Sequence, residues 1–208
     1  MKYDPAKNHR RSIRLKDYDY SQAGLYFITL CCQNRDCLFG KIENGLMNLN
    51  DAGVMIEKWY YELETKYPDK HCHEMIVMPN HFHCIIENVP NEILTMDVSF
   101  GDSSSMDVHV GTSLRGRPNA NENACPETKY GIDNKKYNAT IGNAMNWFKT
   151  MTTNDYIKGV KKNNWQTFNK KLWQRNYWEH IIRNEESYLK ISHYIKNNPA
   201  KWDKDKLK

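Results

Sequence analysis

Two histidines flank one bulky apolar residue at His81-Phe82-His83. Apolar residues crowd both sides: Met75, Ile76, Val77 and Met78 before, Cys84, Ile85 and Ile86 after. In a strand, residues i and i+2 point to the same face. His81 and His83 are therefore expected side by side, with Phe82 turned into the core behind them. Two imidazoles on a rigid strand make half of a metal site. The competing reading is a strand that carries two solvent-facing histidines by chance. Further along, Tyr194 and Asn198 stand four residues apart in a helical pattern, so one helix presents a hydroxyl and an amide oxygen together. His71-Cys72-His73 is a second cluster of ligand-type residues, but its spacing matches no common zinc finger.

These residues need elements to hold them. Pro79-Asn80 reads as a turn between two buried strands. Gly24 to Cys32 is rich in aromatic and β-branched residues and reads as a central strand. Glu43-Asn44-Gly45 is a hairpin turn. Asn50-Asp51 starts a helix to about Tyr67, with Met55, Trp59, Leu63 and Tyr67 recurring on one face and Pro68 ending it. A second amphipathic helix is predicted over about 139–158, from Ile141, Met145, Phe148 and Thr152, and Lys161 to Asn164 reads as a polar break. Asn184 is a plausible N-cap for a last helix through Ser187 to Asn198. Pro199 is expected to hold the residue before it out of the helical region. Tyr188, Ile191 and Ile195 are its predicted buried face. Residues 90–138 are polar and turn-rich and read as a loop insertion in a single domain spanning 1–208.

Composition narrows the classes. The chain has 208 residues, 39% hydrophobic and 12% aromatic, enough for one domain with a core. No apolar run reaches the length of a membrane span, and the first residues lack the apolar stretch of a signal peptide. A cytoplasmic protein with no membrane partner and no small-molecule substrate is expected. The six cysteines include no C-x-x-C pair and read as buried small hydrophobes. The net charge of +5 is uneven: residues 139–208 hold 14 Lys/Arg against 6 Asp/Glu, and residues 1–20 hold 6 against 3. Basic ends suit a polyanion such as nucleic acid, although a solvated lysine-rich surface would look the same. Candidate DNA contacts are Arg10, Arg11 and Arg14 in an N-terminal arm over 1–20. A second set lies in the aromatic and basic stretch of Lys170, Lys171, Trp173, Arg175, Tyr177 and Arg183.

Three blocks in order resemble one family. His81-Phe82-His83, preceded by Val77-Met-Pro-Asn80, resembles the HUH motif, in which U is a bulky hydrophobe. The run from Trp173 to Asn184 is similar to a block of the form W-Q-x-x-[FY]-W-[ED]-H-x-I-R. Tyr194-Ile-Lys-Asn-Asn-Pro199 is similar to a catalytic Y-I-x-x-N-P end. The family is the single-tyrosine HUH transposases, and within it the REP-associated tyrosine transposases. The resemblance implies an α+β fold, an antiparallel sheet with flanking helices in the ferredoxin-like HUH nuclease arrangement. It implies Tyr194 as nucleophile, His81, His83 and Asn198 as ligands of Mg²⁺ or Mn²⁺, and single-stranded or hairpin DNA as partner. The activity implied is strand cleavage and transfer through a 5′-phosphotyrosine. Monomer and homodimer both stay open. Two other readings compete: a nonenzymatic DNA-hairpin-binding protein that keeps the fold, and an unrelated metal hydrolase using His71, His73, His81 and His83. Glu179 and His180 read as supports of the site or as local caps, and Lys196 stands on the helix near Tyr194.

Overall fold

The computed structural model describes residues 18–89 and 136–208. Four strands form one antiparallel sheet: β1 (Gly24–Cys31), β4 (Lys70–Val77), β5 (His81–Asn88) and β6 (Trp178–Ile182), in the order β4-β5-β1-β6. Between β1 and β4 lie the hairpin strands β2 (Gly40–Glu43) and β3 (Leu46–Leu49) and helix α1 (Asp51–Lys66). Helix α2 (Ile141–Asn163) joins β5 to β6, and helix α3 (Glu185–Lys196) follows, ending in a 3-10 turn over Pro199–Lys204. Since every neighbouring pair is antiparallel, β1 runs parallel to β4 across β5, and β5 runs parallel to β6 across β1. Two interleaved β-α-β units of this kind make the ferredoxin-like arrangement. The α+β antiparallel sheet flanked by helices is as expected. Among the described residues no helix is long and apolar enough to cross a membrane.

The sheet is apolar on both faces, and residue parity assigns the faces. Tyr26, Ile28 and Leu30 of β1 and Phe82, Cys84 and Ile86 of β5 join α1 and α2 in the larger core. Phe27, Ile85, Ile182 and Ile195 make a smaller core under α3 on the other face. His81 and His83 share the parity of Ile85, so they lie on the α3 face, while Phe82 enters the main core. There it is fully buried, stacked on Phe148 at 5.4 Å and edge-on to Tyr60 at 5.5 Å between ring centroids. The histidines are buried as well, because α3 and the segment after it cover that face. They are not the solvent-facing pair of the competing reading.

Local chemistry sets the element ends. The Asn50 side chain accepts from Gly53 N and caps α1, and Tyr67 closes it. Gly53 must be glycine, since a Cβ there would collide with the Phe39 carbonyl oxygen. Asn44 and Gly45 both take positive φ in the tight β2–β3 turn. Asn184 accepts from Ser187 N and caps α3, as expected.

Three expectations need correction. Helix α2 runs on through Lys161 and Lys162 to Asn163, where Asn164 in the left-handed conformation stops it. The predicted polar break is an exposed last turn whose lysines complement the helix dipole. Asn198 takes helical φ and ψ of −60° and −44° despite preceding Pro199. Packing into the 3-10 turn outweighs the local preference against it. On α3, Ile195 is buried as predicted, but Tyr188 and Ile191 are only half-buried and Ser192 lies deeper.

The arm with Arg10, Arg11 and Arg14 and nearly all of the 90–138 insertion lie outside the described residues. At the insertion's end, Lys136 N donates to Lys66 O and Asn138 N to Asp69 Oδ2, which joins that chain end to the C-terminus of α1.

Phe82→Ala is expected to cost about 3–5 kcal/mol, the usual cost of emptying a buried aromatic site. Urea unfolding of the variant checks this. A loss below about 1 kcal/mol would mean that Phe82 does not anchor the strand that carries both histidines.

Candidate active site

The turn before β5 builds the first part of the site. Asn80 is buried, and its Nδ2 donates to Leu207 O at 2.8 Å and to Arg35 O at 3.3 Å. Both acceptors are carbonyls, so they fix which end of the amide is nitrogen. Asn80 Oδ1 then faces His81 Nδ1 at 2.7 Å and accepts its proton. His81 is thereby held in the tautomer whose Nε2 carries a bare lone pair, and that atom is buried without a hydrogen-bond partner.

Thr29 of β1 lies opposite His83 in the sheet register, and its Oγ1 is 2.8 Å from His83 Nδ1. On the other side of the ring, Tyr194 OH lies 3.2 Å from Nε2. With the phenol donating to Nε2, Nδ1–H donates to Thr29. Phe27 stacks on His83 at 5.4 Å and meets Tyr194 edge-on at 6.1 Å, so an apolar ring fixes both. One helical turn after Tyr194, Asn198 is buried with Oδ1 unpartnered. Its amide, beside the phenol, favours the phenolate. The two imidazole rings are 4.6 Å apart. His81, His83, Tyr194 and Asn198 thus gather in one place, as expected.

The electrostatics follow from burial. Burial pushes His81 down to about 4, with Arg35 adding to the effect and Asp205 opposing it. Burial and the neighbouring His81 hold His83 well below the usual imidazole range. Both rings are neutral at neutral pH, the form that binds metals. Burial, assisted by Asp205, raises Tyr194, and Asn198 opposes it. Two neutral imidazoles and two buried unpartnered donor atoms, His81 Nε2 and Asn198 Oδ1, fit a divalent cation. Among the described residues no three His, Cys, Asp or Glu side chains close on one point, so the set needs the amide of Asn198.

A cleft of about 890 Å³ opens over His83, Tyr194 and Asn198. Tyr177 and Trp178 line one wall, and Lys201, Lys204 and Lys206 line another. Lys149 holds the first wall by donating to Gln174 O at 2.6 Å and Arg175 O at 3.0 Å.

The aromatic and basic stretch divides. Lys170, Lys171, Arg175 and Arg183 are exposed. Trp173 is not available to a base: it is 4% exposed, packs on Phe39 and Phe148, and donates from Nε1 to Thr152 Oγ1 at 2.9 Å. Tyr177 is also buried, reaching the cleft only at its edge. The exposed aromatic is Trp178, stacked on His180 with 4° between the ring planes. Lys196 turns away from Tyr194 toward Glu74, 3.3 Å off. The four-histidine hydrolase set does not assemble: His71 is exposed and His73 Nε2 is engaged by Glu87 at 2.8 Å.

Four site residues escape a reading of the sequence. Asn80 falls within the turn but shows no sign of its hydrogen bonds. Thr29 depends on register. Trp202, stacked 6.1 Å from His81, and Asp205, with Oδ2 3.7 Å from His81 Nε2, sit in a lysine-rich run that looks like plain surface.

A tyrosine beside a histidine pair on a sheet of this order is the arrangement that the sequence resemblance implies. A solved structure of a REP-associated tyrosine transposase bound to a REP hairpin matches 91% of this chain and 73% of its own with a TM-score of 0.50. At 19% identity that likeness is one of fold. No protein-family model matches the chain. Over 206 residues the chain is 37% identical to an uncharacterised protein of Haemophilus influenzae, covering 99% of this chain and 97% of that one. The chain belongs to the same family as the Haemophilus protein, and its fold is that of the REP-associated tyrosine transposases.

The buried imidazoles make stability pH-dependent. Both stay neutral in the fold below pH 6.5, while in the unfolded chain they take up protons there. Stability is therefore complete above about pH 6.5 and is lost as the pH falls toward the depressed folded values. Between pH 7.5 and 5.5 His81, pushed down to about 4, should by itself cost roughly 1 kcal/mol, and His83 adds to it in the same direction. Urea midpoints in the presence of chelator measure this, and a His81→Gln/His83→Gln double variant should flatten the slope.

Proposed function

We propose that this chain is a metal-dependent single-strand DNA endonuclease and strand transferase of transposase type, working through a 5′-phosphotyrosine at hairpin DNA. The observation that carries the reading is the Tyr194 phenol 3.2 Å from His83 Nε2, with unpartnered His81 Nε2 and Asn198 Oδ1 beside it. His81, His83 and Asn198 would hold Mg²⁺ or Mn²⁺, which when bound supplies Lewis acidity to a phosphate oxygen. The chain's own residues do the rest. Phe27 meets the phenol edge-on, and the Asn198 amide beside it favours its ionised form. The Tyr194 oxygen attacks phosphorus, a P–O bond to tyrosine forms, and the P–O3′ bond breaks. The phenolic proton leaves to solvent and the departing 3′ oxygen takes one up, so the cleaved strand ends in a 3′-OH. The new linkage conserves the phosphodiester bond energy, so attack by a second 3′-OH rejoins a strand without ATP.

Lys201, Lys204 and Lys206 along the cleft suit a phosphate backbone, with Lys170, Lys171, Arg175 and Arg183 as further contacts. Trp178, rather than Trp173, is the ring open to stacking. Hairpin DNA is the assigned substrate class because the neighbour of this fold is bound to a REP hairpin.

The test uses 3′-labelled single-stranded hairpin DNA from the gene's own flanks, with Mn²⁺, resolved on a denaturing protein gel. Label should travel with wild type and not with Tyr194→Phe, while hairpin affinity changes less than about twofold. Adduct formation by the Phe variant would move the nucleophile elsewhere. No adduct with wild type would favour the nonenzymatic hairpin-binding reading instead. Hairpin affinity should also exceed that for blunt duplex and fall steeply with salt, as filter binding at several salt concentrations would show. Equal affinity for the two DNAs contradicts the substrate assignment.

A further inference from the structure

The cleft over Tyr194 has two unlike sides. One carries Trp178, and the other carries Lys201, Lys204 and Lys206. Trp178 is 50% exposed, although tryptophan is mostly buried in folded proteins. Its ring is nonetheless held in place. Phe27 meets it edge-on at 5.7 Å, and His180 stacks with it at 5.9 Å between centroids. Two neighbours set its plane while much of the indole stays open to the cleft.

The sheet register puts this ring in the row of the active site. Trp178 of β6 lies opposite Thr29 of β1, and Thr29 lies opposite His83 of β5. Side chains in such a row share a face, and two strand spacings come to about 10 Å. Phe27 links the same groups from the side, since it stacks on His83 and also meets Tyr194 edge-on at 6.1 Å. The phenol and the indole therefore pack against one phenyl ring, within the reach of a single nucleotide. The segment before Trp178 is fixed as well. Gln174 N donates to Cys31 O at 2.9 Å, and Lys149 holds the carbonyls of Gln174 and Arg175. Gln174 and Asn176 line the same cleft and offer amide donors and acceptors to the edge of a base.

An unpaired nucleotide has the matching parts, a flat π face at one end and an anionic phosphate at the other. A base laid on Trp178 sets its phosphate between Tyr194 and the lysines. In a duplex both faces of a base are covered by its neighbours, so the indole is out of reach.

We propose that Trp178 forms a subsite for one unpaired nucleobase, the base that flanks the phosphate presented to Tyr194. The subsite rests on the endonuclease reading above and adds to it what the cleft recognises. It selects an open base before a particular one, because every base has a π face. The cleaved step must then lie in an unpaired part of the hairpin DNA.

The test has a binding arm and a cleavage arm, both on the full chain. With chelator present, affinity is measured for a short oligothymidine and for an abasic chain of the same length and charge. Wild type should prefer the chain with bases by about five- to a hundredfold. Trp178→Leu keeps an apolar group against Phe27 but has no π face, and should lose most of that preference. Trp178→Phe should retain most of it, and both variants should melt close to wild type. In the cleavage arm, wild type with Mn²⁺ first maps the cleaved phosphate on hairpin DNA from the gene's flanks. Removing one of the two bases beside that phosphate should slow adduct formation about tenfold or more. Trp178→Leu should slow the intact DNA by a similar factor and then be insensitive to removal of the same base. A 2-aminopurine in place of that base should be quenched on binding to wild type, a readout that needs no variant. A Trp178→Leu protein as sensitive to the missing base as wild type overturns the proposal, and so does an unchanged preference in the binding arm. Either result beside a normal wild-type adduct leaves the endonuclease reading intact. No wild-type adduct overturns that reading together with the placement beside a cleaved phosphate, and the binding arm then decides the base subsite by itself.

Discussion

The amide of Asn80 is the contact on which the site depends. It carries two donors and an acceptor, and all are used. The donors tie the turn before β5 to the carbonyls of Arg35 and Leu207. The acceptor sets the protonation of His81. A side chain that joins three distant backbone segments and also fixes a tautomer makes the fold and the chemistry inseparable at this point. An aspartate at that position would have no donors for the two carbonyls. An alanine would release the His81 ring to turn and exchange its nitrogens. Such a contact is worth more than one hydrogen bond because each of its buried partners would be left unsatisfied without it.

The sheet supplies the second constraint. A period of two sends alternate residues of β5 to opposite faces, and here both faces are covered. Phe82 goes to the deeper core and pins the strand in depth. The histidines go to the shallower one, where α3 supplies Tyr194 and Asn198. Burial there has a cost, since imidazoles lose their hydration and cannot easily charge. The same cost keeps both rings uncharged beside Tyr194 and Asn198, so what weakens the fold in acid also leaves two neutral imidazoles in the cluster.

Much of this was legible from spacing alone. The parity of His81 and His83, the inward Phe82 and the one-turn offset of Tyr194 and Asn198 follow from the strand and helix repeats, which are local. What was not legible depends on long-range pairing. Thr29 reaches His83 only because β1 and β5 take one particular register. Asp205 lies in a run of lysines whose composition says surface, and only the 3-10 turn after α3 carries it back to His81. Trp173 and Trp178 stand five residues apart in one aromatic and basic block. Which one enters the core and which meets solvent is decided by the route of the chain past Phe39 and Phe148, not by residue type. Asn198 adopts helical angles before a proline because tertiary packing outweighs a local preference of modest size.

The site is also assembled late along the chain. The phenol of Tyr194 and the ring of His83 are 111 residues apart, and the Asn80–Leu207 bond spans 127. During synthesis the histidines emerge long before their partners. A nascent chain that has reached only β5 carries His81 without the segment that fastens Asn80, so its tautomer is unset, and it carries no phenol beside His83. Strand β6, which completes the sheet, and α3, which covers the histidines, come in the same final stretch. Order of emergence therefore separates the two halves of the site in time, and the ribosome holds a pair of histidines without the tyrosine and amide that complete the cluster.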